Sequence, residues 1–203
     1  MNKTAFSLGS LLLGLAPLAS AQESSLSYSY ITASYSFFQF DDAGIDDSVD
    51  LNGFSLDLSY EVANRIFLWG GVSIGSGDVD FLGENIDVDY TEFAGGLGAY
   101  VPIQPNIDIF GRIGILSGEV DASFEGIEES EDDTGLTGSV GLRILITPQL
   151  EGVLQAGVAV LDDTVFTPSA GLLYYVTPQL QIGIGAGFSD EVNTYSVGGR
   201  YHF

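Results

Sequence analysis

Residues 53–62 read GFSLDLSYEV, and in them Phe54, Leu56, Leu58, Tyr60 and Val62 alternate without a break against Ser55, Asp57, Ser59 and Glu61. Successive side chains of a β-strand point to opposite faces, so this decapeptide has one apolar face and one polar face. The same period of two recurs outward from it. It predicts ten strands, at about 26–40, 53–62, 66–76, 90–101, 107–118, 136–146, 150–161, 165–176, 180–188 and 194–203.

The connections between these strands fall into two alternating classes. One class is short and free of acid: Ala63-Asn64-Arg65, residues 102–106, and the identical tripeptides Thr147-Pro148-Gln149 and Thr177-Pro178-Gln179. The other is acidic and mostly longer: 41–52, 77–89 and 119–135, then Asp162-Asp163 and Asp190-Glu191. These five segments hold 22 of the 28 acidic residues and no Lys or Arg. Short turns at one end and longer loops at the other are the layout of an outer-membrane barrel, with periplasmic turns and extracellular loops. A soluble β-sandwich alternates as well, but its loops have no reason to sort by charge. In lipid every backbone amide needs a partner, which strands supply only when the sheet has no free edge. The expected fold is therefore all-β: a closed antiparallel transmembrane β-barrel of about ten strands, with eight as the alternative.

Composition agrees with this reading. The chain is 45% hydrophobic with 23 Phe plus Tyr, yet carries a net charge of −23, so apolar and acidic residues must be segregated along each strand. Past residue 21 no apolar run is long enough for a spanning helix, which needs about 20 residues. Cysteine is absent, which removes disulfide and thiolate chemistry. At the amino terminus Lys3, the apolar stretch from about Leu11 to Leu18 and the small residues Ala19-Ser20-Ala21 read as a secretory signal. The expected organisation is a signal peptide over 1–21 and a barrel domain over 22–203.

With the apolar face turned to lipid, the lumen receives Asp57, Glu61, Glu92, Asp108, Arg112, Arg143, Glu151, Gln155, Arg200 and His202. Four basic residues follow the signal, and three of them lie on these polar faces; the fourth, Arg65, sits in a turn. A guanidinium at the lipid midplane would cost about 2–4 kcal/mol, so their placement checks the alternation independently. Three arginines among five carboxylates predict an ion-pair network of Asp57, Glu61, Glu92, Asp108, Arg112, Arg143, Glu151 and Arg200 that holds the lumen together. Counting from the turns puts Asp57, Arg112 and Arg143 near mid-depth and Glu61, Asp108, Glu151, Arg200 and His202 toward the periplasmic mouth. Inward glycines such as Gly96, Gly98, Gly183, Gly185 and Gly187 leave space or allow close backbone packing.

The acidic loops suit divalent cations, calcium or magnesium, as counter-ions. No segment follows the D-x-[DN]-x-[DN]-G calcium-loop pattern, so no specific metal site is predicted. So acidic a surface makes nucleic acid an improbable partner, because phosphate binding calls for Lys and Arg. A hydrolase needs a nucleophile or water with a base in reach, usually histidine. The sole histidine, His202, falls at the periplasmic end of the last strand. No catalytic or cofactor-binding residues are predicted.

Two stretches resemble a known family. The opening LSYSYITASYSFF is similar to the Y-x-Y-[VI]-x-[AG]-x-Y start of small barrels in the OmpA/OmpX-like outer-membrane superfamily, with Tyr28, Tyr30, Ile31, Ala33 and Tyr35 matching. The carboxyl-terminal SVGGRYHF resembles the β-signal of outer-membrane proteins, matched by Ser196, Gly198, Tyr201 and Phe203. The resemblance implies assembly in the outer membrane of a Gram-negative bacterium by the barrel assembly machinery, with periplasmic chaperones on the way. It implies no particular activity. The expectation is a monomeric, non-enzymatic barrel with a structural or surface-interaction role; the alternative is a narrow, cation-preferring pore.

Overall fold

The structure is a computed structural model that describes residues 23–40, 49–81, 84–124, 127–161, 163–189 and 192–203. The predicted signal peptide lies outside the described residues, as does most of the acidic segment after the first strand. Ten strands follow one another: β1 (Tyr30–Phe40), β2 (Val49–Ala63), β3 (Ile66–Phe81), β4 (Glu84–Gln104), β5 (Ile107–Phe124), β6 (Ile127–Thr147), β7 (Leu150–Val160), β8 (Thr164–Tyr175), β9 (Leu180–Phe188) and β10 (Val192–His202). Each pairs antiparallel with its sequence neighbours, and β1 closes on β10 from Tyr30↔His202 to Phe40↔Val192. The sheet is a closed up-and-down barrel without an edge around its girth, as lipid requires.

Alternation survives folding with its faces reversed relative to a water-soluble domain. Leu56, Leu58, Ile74, Leu97, Ile113 and Ile184 are exposed on the outside, Ile113 and Ile184 at 63% each. Their inward neighbours are Asp57, Ser59, Arg112 and small residues. Tyr60, Tyr174, Tyr201 and Phe203 lie outward near the turn end, where Tyr60 and Phe203 stack at 6.2 Å. Phe37, Phe93, Phe166, Phe188 and Tyr195 mark the other side. Two aromatic rows flanking an aliphatic band are what the two water interfaces of a bilayer select.

Strand lengths are unequal, and here the structure departs from the sequence reading. β1, β7, β8, β9 and β10 have 9 to 12 residues, close to the 9–11 that a tilted strand needs to cross a bilayer. β4 and β6 have 21 each, because they run on through the acidic segments read as loops. Residues 77–81 pair with 84–88, and 117–124 pair with 127–134. The cause is legible in Ile86-Asp87-Val88-Asp89-Tyr90, which still alternates but with the faces exchanged: the acids now point outward. On β4 the outward series passes from Leu97 and Phe93 to Asp89 and Asp87, and on β5 from Ile113 and Ile115 to Glu119 and Asp121. β3 to β6 therefore rise above the lipid band as a sheet with an acidic outer face. At about 3.3 Å per residue, the ten or so extra residues of β4 and β6 add about 33 Å along the strand.

Candidate functional site

The first departure from simple alternation is near the turn end, where the lumen is apolar. Phe67, Tyr100 and Phe110 point inward from β3, β4 and β5 and form a buried cluster with Tyr28, joined by Trp69 and Val153. Glycine makes room for them: the rings of Phe67 and Phe110 occupy the positions that a Cβ would take at Gly98 and Gly141. Gly98 is thus a ring seat. Gly96, by contrast, lies so close to the Ile113 carbonyl that a side chain would not fit.

Tyr28 reaches this cluster because residues 24–29 do not extend β1 as expected. They turn across the mouth of the barrel. Ser25 N–H donates to the Pro105 carbonyl (2.9 Å), the Ser24 hydroxyl donates to Asp108 Oδ2 (2.6 Å), and the Ser59 hydroxyl donates to the Tyr28 carbonyl (2.7 Å). The Tyr28 ring, 1% exposed, stacks at 4.0 Å on Tyr100 and at 4.9 Å on Phe67. This strap is the part of the site that the sequence reading missed.

Beside the rings, the floor is polar and centred on Glu151, which is 0% exposed. Its Oε1 accepts from Arg143 Nε (2.7 Å) and Arg200 Nη1 (3.4 Å), and its Oε2 accepts from Gln181 Nε2 (2.9 Å) and the Tyr175 hydroxyl (3.4 Å). Arg143, 2% exposed, also donates Nη1 to the Ser27 carbonyl of the strap (2.7 Å), and its guanidinium lies 4.6 Å over Tyr28. Because the Gln181 amide nitrogen is committed to Glu151, its Oε1 accepts from His202 Nε2 at 2.9 Å, which fixes the imidazole tautomer. His202 packs between Tyr175 and Tyr30. The rings and this polar half each contribute residues no more than 9% exposed, and together they form a floor drawn from the strap and from strands all around the barrel.

The eight residues expected to form one ion-pair network are thus distributed over several settings. Arg143, Glu151 and Arg200 meet in salt bridges. Arg143 lies lower than its expected mid-depth, in register opposite Asp108. Asp108 itself, fully buried, bonds Ser24. Glu61 accepts from the Tyr100 hydroxyl (3.0 Å) and from Arg65 N–H (3.1 Å), bracing the two-residue turn in which Arg65 has a φ of 66°. Arg112 is bonded to neutral groups, Ser139 at 3.2 Å and Gln155 at 2.6 Å. Asp57 and Glu92 face inward above the floor and join no ion pair among the described residues. Of the carboxyl-terminal signal residues, Tyr201 and Phe203 lie on the lipid side and Ser196 and Gly198 on the lumen side of β10.

Above the floor the lumen opens into a cavity of about 440 Å³. Arg112, Arg143, Arg200 and Asp57 line it, with hydroxyls of Thr32, Ser34, Ser169, Thr194 and Ser196. It reaches Thr167, Gly187 and Thr194, near the loop ends of β8, β9 and β10. The lumen is thus a cup, closed toward the turns and open toward the loops. Among the described residues no three acidic or histidine side chains converge on a metal position.

A closed meander barrel with an apolar outer band and short turns on one side has few relatives outside one membrane. Residues 8–203 match the model of the outer membrane protein β-barrel domain. The chain belongs to that family. It is an outer-membrane protein whose barrel contacts lipid. Solved structures give the same fold: Ail, the attachment invasion locus protein of Yersinia pestis, is 20% identical over 86% of this chain and 97% of its own, with a TM-score of 0.50. The translocator domain of the autotransporter NalP from Neisseria meningitidis is 10% identical over 86% and 88%, with a TM-score of 0.53. The NanC porin is 9% identical over 85% and 100%, with a TM-score of 0.51. At these identities the likeness is one of fold. No curated protein sequence matches the chain.

Proposed function

We propose that this outer-membrane barrel is a non-enzymatic surface-interaction protein: a sealed barrel that anchors the acidic sheet of β3–β6 and presents it to partners outside the cell. The observation that carries this reading is the combination of a packed floor with the strand extension above the lipid band. A barrel built to conduct needs a continuous polar path, whereas here the path ends on Glu151, Asp108 and Gln181, each 0% exposed. The alternative, a narrow cation-preferring pore, requires the strap and the Arg143–Glu151 pair to move aside. Catalysis finds no support in the lumen, where His202 is buried in the floor away from the cup.

The outward carboxylates Asp87, Asp89, Glu119, Asp121 and Asp132 are fully accessible and suit a basic partner surface, with divalent cations as counter-ions. Export would follow cleavage of the signal before Gln22, and assembly would follow recognition of Ser196, Gly198, Tyr201 and Phe203 by the barrel assembly machinery after periplasmic chaperones; the barrel then acts as a monomer. The test is to shorten the β5–β6 hairpin by replacing residues 119–132, paired at their ends, with an Asn-Gly turn. Bacteria displaying the full barrel are expected to adhere to matrix-coated surfaces, and bacteria displaying the trimmed barrel are not. Equal adherence of both refutes the role of the sheet. Sequencing of the membrane-extracted protein checks Gln22 as its first residue.

A further inference from the structure

Of the four arginines, three line one cavity, and they are not equivalent. Arg143 and Arg200 share Glu151. Arg112 has no carboxylate within salt-bridge distance: its Nε and Nη2 each donate to a neutral oxygen, of Ser139 and Gln155, which leaves three of the five guanidinium N–H groups unused. Its plane is held by rings, with the guanidinium carbon 5.0 Å from the Trp69 centroid and 5.8 Å from that of Phe110. Asp57 lines the same cavity from β2. Its Oδ1 rests in the space left by Gly71, 2.7 Å from where a Cβ would stand, and it has no hydrogen bond or ion pair among the described residues.

A guanidinium and a carboxylate, neither neutralised by the protein, thus face one cavity without touching each other. Charges withdrawn from bulk water gain from a partner of opposite sign. A simple anion would satisfy Arg112 alone, and it would have to pass a mouth rimmed by the acidic segments. A simple cation would satisfy Asp57 alone. A molecule with both charges and no net charge satisfies both and is not repelled at the entrance. The remaining wall offers hydroxyls and backbone exposed by glycines of β9, which suits a small polar body. The cavity, about 440 Å³, is within the 300–1,000 Å³ of small-molecule sites.

We infer that the cup is a binding site for a small zwitterion of the amino-acid class, its carboxylate on the free N–H groups of Arg112 and its ammonium on Asp57. The site is separate from the acidic sheet and does not depend on it. Binding needs no path through the floor, so the protein would retain or sense its ligand from the outer side.

Trp69 is the only tryptophan in the chain and stacks on Arg112, so its fluorescence reports on the site. The full barrel, refolded into lipid nanodiscs, is titrated with glycine, L-serine and L-glutamine, and with acetate and methylammonium as single-charge controls. The expected result is a saturable change in Trp69 emission with at least one amino acid, at a midpoint at least tenfold below that of either control. Arg112→Gln and Asp57→Asn each raise that midpoint tenfold or more while the heat-modifiable gel shift of the folded barrel is kept. If Asp57→Asn does not fold, Gly71→Ala, which displaces the carboxylate, takes its place. Absence of saturation with all three amino acids, an equal response to acetate, or unchanged binding on loss of Asp57 overturns the inference.

Discussion

Replacing Glu151 by Gln tests the floor of the barrel at its centre. The substitution keeps the shape and one acceptor oxygen but removes the charge that Arg143 and Arg200 share. Arg143 is 2% exposed, and its only ionic partner among the described residues is Glu151, so its charge would remain buried with neutral acceptors and ring faces. Breaking one side of a buried pair costs about 3–5 kcal/mol, and the retained amide oxygen argues for the lower end, about 3 kcal/mol. With a urea dependence of about 2 kcal/mol per molar, the unfolding midpoint should fall by about 1.5 M. Urea titration in lipid vesicles, followed by Trp69 fluorescence and by heat-modifiable gel mobility, measures this. Arg143→Met in the Glu151→Gln background should restore much of the loss, because it removes the stranded cation. A loss under about 1 kcal/mol, or strict additivity of the two changes, refutes the reasoning that the pair organises the floor.

Other expectations concern the strap, the lipid face and the carboxyl terminus. Tyr28→Ala removes a ring stacked at 4.0 Å on Tyr100 and should cost about 3–5 kcal/mol in the same urea titration. Ile113→Arg, on the 63% exposed lipid face, should cost about 2–4 kcal/mol, whereas Asp121→Arg on the sheet above the lipid should stay within about 0.5 kcal/mol. Deleting Phe203 should lower the fraction of folded barrel in outer-membrane preparations from cells while leaving refolding of the purified chain in detergent nearly unchanged, since only its stack on Tyr60 is lost.

Alternation and charge sorting were sufficient to read ten strands, their faces and the closure of the sheet, because a lipid-facing barrel imposes both on every strand. Two features were hidden. Acids served as loop markers, so strands ended at Ser76 and Gly118; yet Ile86-Asp87-Val88-Asp89-Tyr90 keeps the period and exchanges only the faces. The strap was hidden by parity: Leu26, Tyr28 and Tyr30 continue the period of β1, and nothing local tells a strand from a segment folded into the mouth. A signal for the floor was present in Ile66-Phe67-Leu68-Trp69, where both faces are apolar. A strand that faces lipid on one side has no use for a second apolar face unless the lumen is packed there. Among the lumen charges, parity gave the face but not the partner: Arg143 and Arg112, two positions with the same parity argument, differ because only Arg143 lies in reach of Glu151.

Whether the barrel is sealed is the claim on which the account turns, and single-channel recording in planar bilayers addresses it directly. The purified barrel is expected to insert without steady conductance, since the strap, the aromatic cluster and the Glu151 cluster leave no open path. Reproducible cation-selective openings in the unmodified protein, altered in size or selectivity by Arg112→Ala or Arg143→Ala, would contradict it.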